Sequence, residues 1–158
     1  MKKFILLFLF TVIVFSVKAQ IVNIPDANFK NALVNTNCVD TNGDSIFDDD
    51  ADINNDGEIQ VSEAEAVVNL WVVNNNIISM EGIQNFTNLQ YLHCMNNQIT
   101  ILDVTQNTNL EYLHCRNNQI TILDVTQNIN LTILKGSRNQ LTNLDVTQNI
   151  NLQNLDVS

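Results

Sequence analysis

Apolar residues along the second half of the chain recur with a period of 21. Phe86 to Gln106 reads FTNLQYLHCMNNQITILDVTQ, and Asn107 to Gln127 reads NTNLEYLHCRNNQITILDVTQ. A looser copy, NINLTILKGSRNQLTNLDVTQ, runs from Asn128 to Gln148, and a fourth begins at Asn149 and stops at Ser158. Within one unit the apolar set is Leu89, Leu92, Cys94, Ile99, Leu102 and Val104, and the next unit repeats it through Leu110, Leu113, Cys115, Ile120, Leu123 and Val125. A unit this short cannot bury a core alone, so each is predicted to be one coil of a stacked solenoid whose apolar side chains meet those of the next coil. The alternation Leu92-x-Cys94 and Leu113-x-Cys115 predicts a short strand in each coil with every second side chain inward, and the strands of successive coils form a parallel sheet.

The residues between the inward ones then form three outward columns. The first holds Asn69, Tyr91, Tyr112, Ile133 and Asn154; the second Trp71, His93, His114, Lys135 and Asp156; the third Val73, Met95, Arg116, Ser137 and Ser158. Asn97, Asn118 and Asn139 fall at one position after the strand, where a carboxamide can satisfy backbone groups of its own and the adjacent coil. Leu70, Val72, Asn75, Ile77 and Met80 fit a divergent first coil, one residue longer, ahead of a turn at Gly82 and Ile83. Upstream, Pro25 and Asp26 open a helix carrying Phe29, Ala32 and Leu33 at helical spacing, and Ser62 is placed to cap a second one beginning at Glu63. Two short helices around an acidic turn would cover the open apolar end of the solenoid. The expected fold is thus an α/β repeat solenoid, with a helical cap over residues 20–68 and about four coils over residues 69–158, the last incomplete.

Charge changes the picture at both ends of that cap. The chain opens with MKK, an apolar run from Phe4 to Val17, and Lys18-Ala19, which reads as a secretory signal peptide over residues 1–19 and predicts export with no membrane span after its removal. The remaining chain sets Lys30, Arg116, Lys135 and Arg138 against all 17 acidic residues, a net charge of about −13 that excludes nucleic acid as a natural partner. Ten of the 17 lie between Asp40 and Glu65, and their spacing favours a cation site over a solvated acidic tract. Asp52, Asn54, Asp56, Gly57, Glu58, Ile59 and Glu63 match the twelve-position calcium loop: three side-chain oxygens, the Glu58 carbonyl and a closing Glu63 carboxylate, with Gly57 at the sharp turn. Twelve residues earlier Asp40, Asn42, Asp44, the Ile46 carbonyl and Asp48 repeat the pattern more weakly. Ser45 replaces the glycine there and Ala51 the closing acid, so a second calcium would have to borrow a carboxylate from Asp49, Asp50 or Asp52.

From Ile24 onward the chain resembles the secreted bacterial leucine-rich-repeat proteins that carry IPDANFKNALV, then DINNDGEIQVSEAEAV, then copies of NNQITILDVTQN, with internalin-like units as more distant relatives. The resemblance covers nearly all of the chain beyond the signal segment. It implies an extracellular or surface protein, often longer, whose repeats bind other molecules or act as spacers beside other domains. The stop in mid-coil at Ser158 agrees with a fragment of a larger secreted multidomain protein, one whose catalytic domain, if it has one, lies elsewhere.

The chemistry-bearing residues fit binding better than catalysis. No G-x-S-x-G, H-E-x-x-H or phosphate-cradling glycine loop occurs, and Asp103, Asp124 and Asp145 repeat in one context, whereas an acid–base pair needs two carboxylates in different ones. Cys94 and Cys115 share a slot that later holds Gly136 and Val157, which predicts buried free thiols; a bridge between them is the alternative, and Cys38 is free or paired elsewhere. His93 beside His114 lacks a third metal ligand. The predicted ligand face is Trp71, Tyr91, His93, Tyr112, His114 and Arg116, facing an extracellular protein or glycan; copied surface residues on a passive spacer are the competing reading.

Overall fold

The computed structural model describes residues 19–40 and 46–158. The expected signal segment up to Lys18, together with Asn42, Asp44 and Ser45 of the weaker acidic loop, lies outside the described residues. The chain order is α1 (Ala27–Asn35), α2 (Val61–Ala66), β1 (Asn69–Trp71), a 3-10 turn (Ile83–Asn85), β2 (Tyr91–His93), β3 (Tyr112–His114), β4 (Ile133–Lys135) and β5 (Asn154–Asp156). The five strands form one parallel sheet in sequence order. Their register aligns Asn69, Tyr91, Tyr112, Ile133 and Asn154, then the five central leucines, then Trp71, His93, His114, Lys135 and Asp156. The first two outward columns are therefore formed, and the fold is a leucine-rich-repeat solenoid.

Leu70, Leu92, Leu113 and Leu134 point inward from the strands and are fully buried, together with Ile77, Ile99 and Ile120 from the opposite wall of each coil. Burial of side chains this size is worth roughly 1.5–3 kcal/mol each, which drives the stacking. Stacking also buries backbone groups where the chain turns, and asparagine carboxamides satisfy them. Asn118 accepts from the Ile99 amide at 3.0 Å and donates to the carbonyls of Cys94 at 3.0 Å and Cys115 at 2.9 Å. Asn97 and Asn139 repeat the arrangement one coil to either side. The residue ahead of each rung, Asn96, Asn117 and Arg138, has φ of 56–57°, a left-handed conformation that asparagine tolerates better than most residues.

A second ladder, not expected from the sequence, holds the far corner of the coil. Asn107, Asn128 and Asn149 are buried, and each Nδ2 donates to two carbonyls of the preceding coil at 2.8–3.0 Å. In the first coil the equivalent slot holds Phe86, which is fully buried 6.5 Å from the Phe29 ring of α1. The ladder begins with an apolar residue because its neighbour on that side is the cap rather than another coil.

Asp26 joins the cap to the solenoid. One carboxylate oxygen caps α1 by accepting from the Asn28 and Phe29 amides, and the other accepts from Ile78 and Ser79 of the first coil at 2.8 and 2.9 Å. Burial opposes ionisation of Asp26, but the four amide donors outweigh it and hold the carboxyl below its ordinary value. Gly82 permits a second close contact: its φ is 105°, and a Cβ there would lie 2.8 Å from the Asn23 carbonyl oxygen and from Ile24 Cγ1. The open edge of β1 is covered by an antiparallel bridge between Val39 and Leu70, so its amides meet protein instead of inviting another chain. The start of α2 differs from expectation. Gln60, not Ser62, is its N-cap, because the Glu63 carboxylate reaches back to the Gln60 amide at 2.8 Å and sets the first turn earlier.

Asn118→Ala should remove its three shortest hydrogen bonds; the Cys94 and Cys115 carbonyls keep the Asn97 and Asn139 donors, but the buried Ile99 amide is left unmatched, at about 1–3 kcal/mol. Urea unfolding is expected to show a loss several times larger than for the exposed Asp124→Ala; equal losses would contradict the structural role of the ladder.

Candidate functional site

The strand alternation that buries the leucines projects Tyr91, Tyr112, Trp71, His93 and His114 from the opposite, concave side of the sheet. Their rings pack on one another. Trp71 and His93 are stacked with centroids 4.6 Å apart and planes 25° off parallel, and His93 and Tyr112 follow at 4.7 Å and 22°. Tyr91 stacks on Tyr112 at 6.2 Å, and His114 meets both His93 and Tyr112 edge-on. The cap contributes a ring as well: Phe47 lies 5.2 Å from Trp71 and extends the stack beyond β1. Sequence reasoning missed Phe47. The signal was an apolar Ile46-Phe47 pair inside an acidic tract, but nothing in the repeat says how the cap docks on the sheet.

Trp71, His93 and Tyr112 pack face to face, Phe47 is tilted 45° to Trp71, and His114 meets the stack edge-on. Trp71 and Tyr91 keep 39% and 38% of their surface exposed, so the stack is a surface feature and not part of the core. Its far end is cationic. Lys135 places its ammonium 5.6 Å from the Tyr112 centroid, and Arg116 follows β3 in the third outward column. Among the described residues the one ion pair is Lys30 with Glu58 at 2.7 Å, so Arg116, Lys135 and Arg138 form none there. These charges act on the imidazoles: burial first, then His114 and Lys135, push His93 down to about 4, and burial with Lys135 and Arg116 lowers His114 against the opposing pull of Asp156. His93 and His114 lie edge-on to each other, and among the described residues no group of three His, Cys, Asp or Glu side chains is placed to hold a metal ion.

In the acidic loop the predicted ligands are held by hydrogen bonds. Asp52 is buried, and its oxygens accept from the Asp56 amide at 3.1 Å and the Gly57 amide at 2.7 Å. Asn54 Oδ1 accepts from the Asp56 amide and Asp56 Oδ1 from the Glu58 amide. The buried Glu63 carboxylate accepts from Asn54 and Gln60. The Gln60 side chain fills the middle of this ring: its Nε2 donates to both Asp56 oxygens at 3.2 and 3.1 Å and to the Glu58 carbonyl at 3.5 Å. Gly57 has φ of 80°, as its turn position requires. Of the weaker loop, Asp40 is nearly buried and accepts from Asn69 Nδ2 at 3.2 Å, while Ile46 and Asp48 are exposed. A cavity of about 280 Å³ opens between Asp40, Asp49, Asp50 and Glu63.

The remaining chemical groups are structural. Cys38, Cys94 and Cys115 are free and buried, and burial raises the thiols of Cys38 and Cys115 to about 12, far from thiolate chemistry at neutral pH. Asp103, Asp124 and Asp145 each accept from the hydroxyl and amide of the threonine two residues on, at 2.7 and 2.9–3.0 Å. Those threonine bonds lower all three carboxyls in the same direction, so they supply no acid–base pair.

Because the folded-state value of His93 is depressed, the unfolded chain takes up its proton first, and stability is expected to fall as pH drops from 6.5 toward about 4. Melting curves across that window should show the decline, and His93→Phe should make it shallower, the lowered His114 supplying part of the remainder. An imidazole titration by nuclear magnetic resonance that places His93 at or above 6.5 would contradict the stacked, desolvated geometry.

No protein-family model and no curated protein matches the chain. Solved structures do. The functional domain of InlJ from Listeria monocytogenes, which includes a cysteine ladder, superposes with a TM-score of 0.54 at 32% identity, covering 90% of this chain and 34% of that one. In this chain Cys94 and Cys115 stand at equivalent inward positions one coil apart, both buried and free. An internalin (inlF) from Listeria monocytogenes str. 4b F2365 matches with a TM-score of 0.61 at 19% identity, over 92% of this chain and 47% of that one. Internalin C2 (inlC2) from the same strain matches at 0.56 and 23%, over 90% and 69%. The chain thus spans about a third of the first of these and about half of the second. It is a leucine-rich-repeat solenoid with a distant structural likeness to Listeria internalins.

Proposed function

We propose that this chain is an exported binding module that holds an extracellular protein or glycan on its concave sheet, catalyses nothing, and uses calcium to stabilise its cap. The observation that carries the binding reading is the unbroken ring stack Phe47, Trp71, His93 and Tyr112, lying half-buried across parallel strands with Trp71 exposed. Aromatic side chains of this kind concentrate binding energy at interfaces because they bury much area at low entropic cost. Export rests on the basic start and apolar run at the N-terminus, and no helix among the described residues is long and apolar enough to cross a membrane. The solenoid likeness to internalins supports a repeat module used for interaction. Trp71→Ala and Tyr112→Ala should each weaken binding by roughly tenfold or more in screens against glycan arrays and surface-protein extracts. Binding unaffected by both would move the site off this face, and no binding at all would favour a spacer.

The calcium reading rests on the Asp52 to Glu63 loop. Asp52, Asn54 and Asp56, the Glu58 carbonyl and Glu63 supply hard oxygen donors of the kind calcium takes; their carboxylates are not gathered on one point as they stand, and the Gln60 amide nitrogen sits among three of the acceptors as a partial positive charge, so binding calcium would draw them together. A cation would take over that role and relieve repulsion among the carboxylates. Calorimetry should give one site, with a second only if Asp40, Asp48 and their neighbours also bind. At saturating calcium the stabilisation should be about 1–3 kcal/mol, read as a rise of several degrees in melting temperature. Glu63→Gln should abolish the calcium-dependent rise; because it also weakens the α2 cap, the rise and not the absolute melting point is the diagnostic. No heat and no rise in the wild-type chain would remove the site.

A further inference from the structure

The ring stack is not uniform along the solenoid, and its asymmetry carries an inference that rests on the binding reading above. At the β1 end it is apolar, with Phe47 against Trp71. At the β4 end it is cationic, with Lys135 over Tyr112, His114 in register with Lys135, and Arg116 in the next column. We propose that this end is an acid-recognition subsite: Arg116 and Lys135, with His114 between them, take the carboxylates of an extended acidic peptide segment of a partner protein, while Trp71 and Phe47 take an apolar side chain of the same segment.

Two observations point to an anion. Arg116, Lys135 and Arg138 are three of the four basic residues beyond the signal segment, they fall within two neighbouring coils of a strongly acidic chain, and none pairs with a carboxylate among the described residues. Arg116 and Lys135, both close enough to act on His114, are complementary to negative charge there. The imidazoles register the same field, since Lys135 and Arg116 act against protonation of His114 and Lys135 against that of His93. Two carboxylates border the subsite: Asp156, in register with Lys135, accepts from the hydroxyls of Ser137 and Ser158, and Glu111 accepts from the Tyr91 hydroxyl at 3.4 Å; these neutral donors orient the carboxylates and leave their charge in place. The acidic cap lies against β1, three strand spacings or roughly 14 Å from β4, beyond the ~8 Å over which charge acts in physiological salt.

The ring geometry selects peptide over sugar. Sugars pack on ring faces, but here the faces of His93 are covered by Trp71 and Tyr112 at 4.6 and 4.7 Å, leaving ring edges outward. Aromatic edges carry partial positive charge and attract carboxylates.

The test uses the whole exported chain and three fluorescein-labelled probes: a short peptide alternating glutamate and tyrosine, the same peptide with lysine for glutamate, and oligogalacturonate as an anionic glycan. Fluorescence anisotropy should show the glutamate peptide binding, its affinity falling as salt rises, and neither other probe matching it. Arg116→Glu with Lys135→Glu should weaken it roughly tenfold or more, and Lys135→Gln alone by less, with melting temperatures unchanged. Equal or tighter binding of the lysine peptide, preference for oligogalacturonate, or indifference to the double charge reversal would each overturn the proposal. So would the absence of binding to all three, and Trp71-dependent binding of some other ligand in the array and extract screens would then keep the broader reading standing without this one.

Discussion

Every coil of this solenoid depends on satisfying the backbone groups that stacking removes from water. Apolar side chains drive the coils together, but a chain that turns repeatedly within 21 residues buries amides and carbonyls at corners that no strand or helix ladder reaches. Two columns of asparagine meet that demand. Asn97, Asn118 and Asn139 serve the corner after the strand, donating and accepting at once, and Asn107, Asn128 and Asn149 serve the opposite corner by donating twice. A carboxamide suits this task because it is neutral, carries both donors and acceptor, and is short enough to stay in the turn. The second column is imperfect: the Oδ1 atoms of Asn107, Asn128 and Asn149 are buried with no protein partner, so that corner costs more than the first.

The cap solves the same problem at the end of the stack, with different residues. Where a preceding coil would have offered carbonyls, α1 offers Phe29, and Phe86 replaces asparagine to meet it. Where a preceding strand would have paired with β1, Val39 bridges to Leu70 and the Cys38 carbonyl accepts from the Trp71 amide at 2.7 Å. Asp26 then ties α1 to the first coil through both oxygens. These contacts bring the acidic tract against the sheet edge, which is how Phe47 comes to lie on Trp71. The cap and the concave face are therefore one continuous surface at that end.

The fold was largely legible because its period is written out in nearly identical copies: inward leucines, outward columns and the first asparagine ladder all follow from strand alternation. Ladder two was just as visible as letters, but Asn107 lies among other repeated polar residues, and only the path of the chain distinguishes a buried corner from an exposed one. Junctions were illegible for a different reason. Asp26 read as a helix start, and its second pair of bonds to Ile78 and Ser79 depends on contacts 52 and 53 residues away. Ser62 read as a cap by residue type, yet Glu63 bonding back to Gln60 moved the helix start two residues earlier. Candidate ring residues were readable as a list, but their stacking, which turns faces inward and edges outward, was not.

Comparison among the coils separates what geometry demands from what it permits. Asn97, Asn118 and Asn139 keep the same side chain because three hydrogen bonds depend on it, and Asp103, Asp124 and Asp145 keep theirs because each closes a turn on a threonine. The inward slot of Cys94 is looser, passing through Cys115 to Gly136 and Val157; a Cβ on Gly136 would meet Val157 Cγ1 at 3.5 Å and Cys115 Sγ at 3.7 Å, so neighbouring coils share the volume between them. The concave columns are freer still. Tyr112, His114 and Arg116 give way to Ile133, Lys135 and Ser137 in one step, with no change in strand register. A surface that can change from aromatic to cationic across one strand spacing while the corners stay constant lets a repeat protein vary what it binds without altering how it folds.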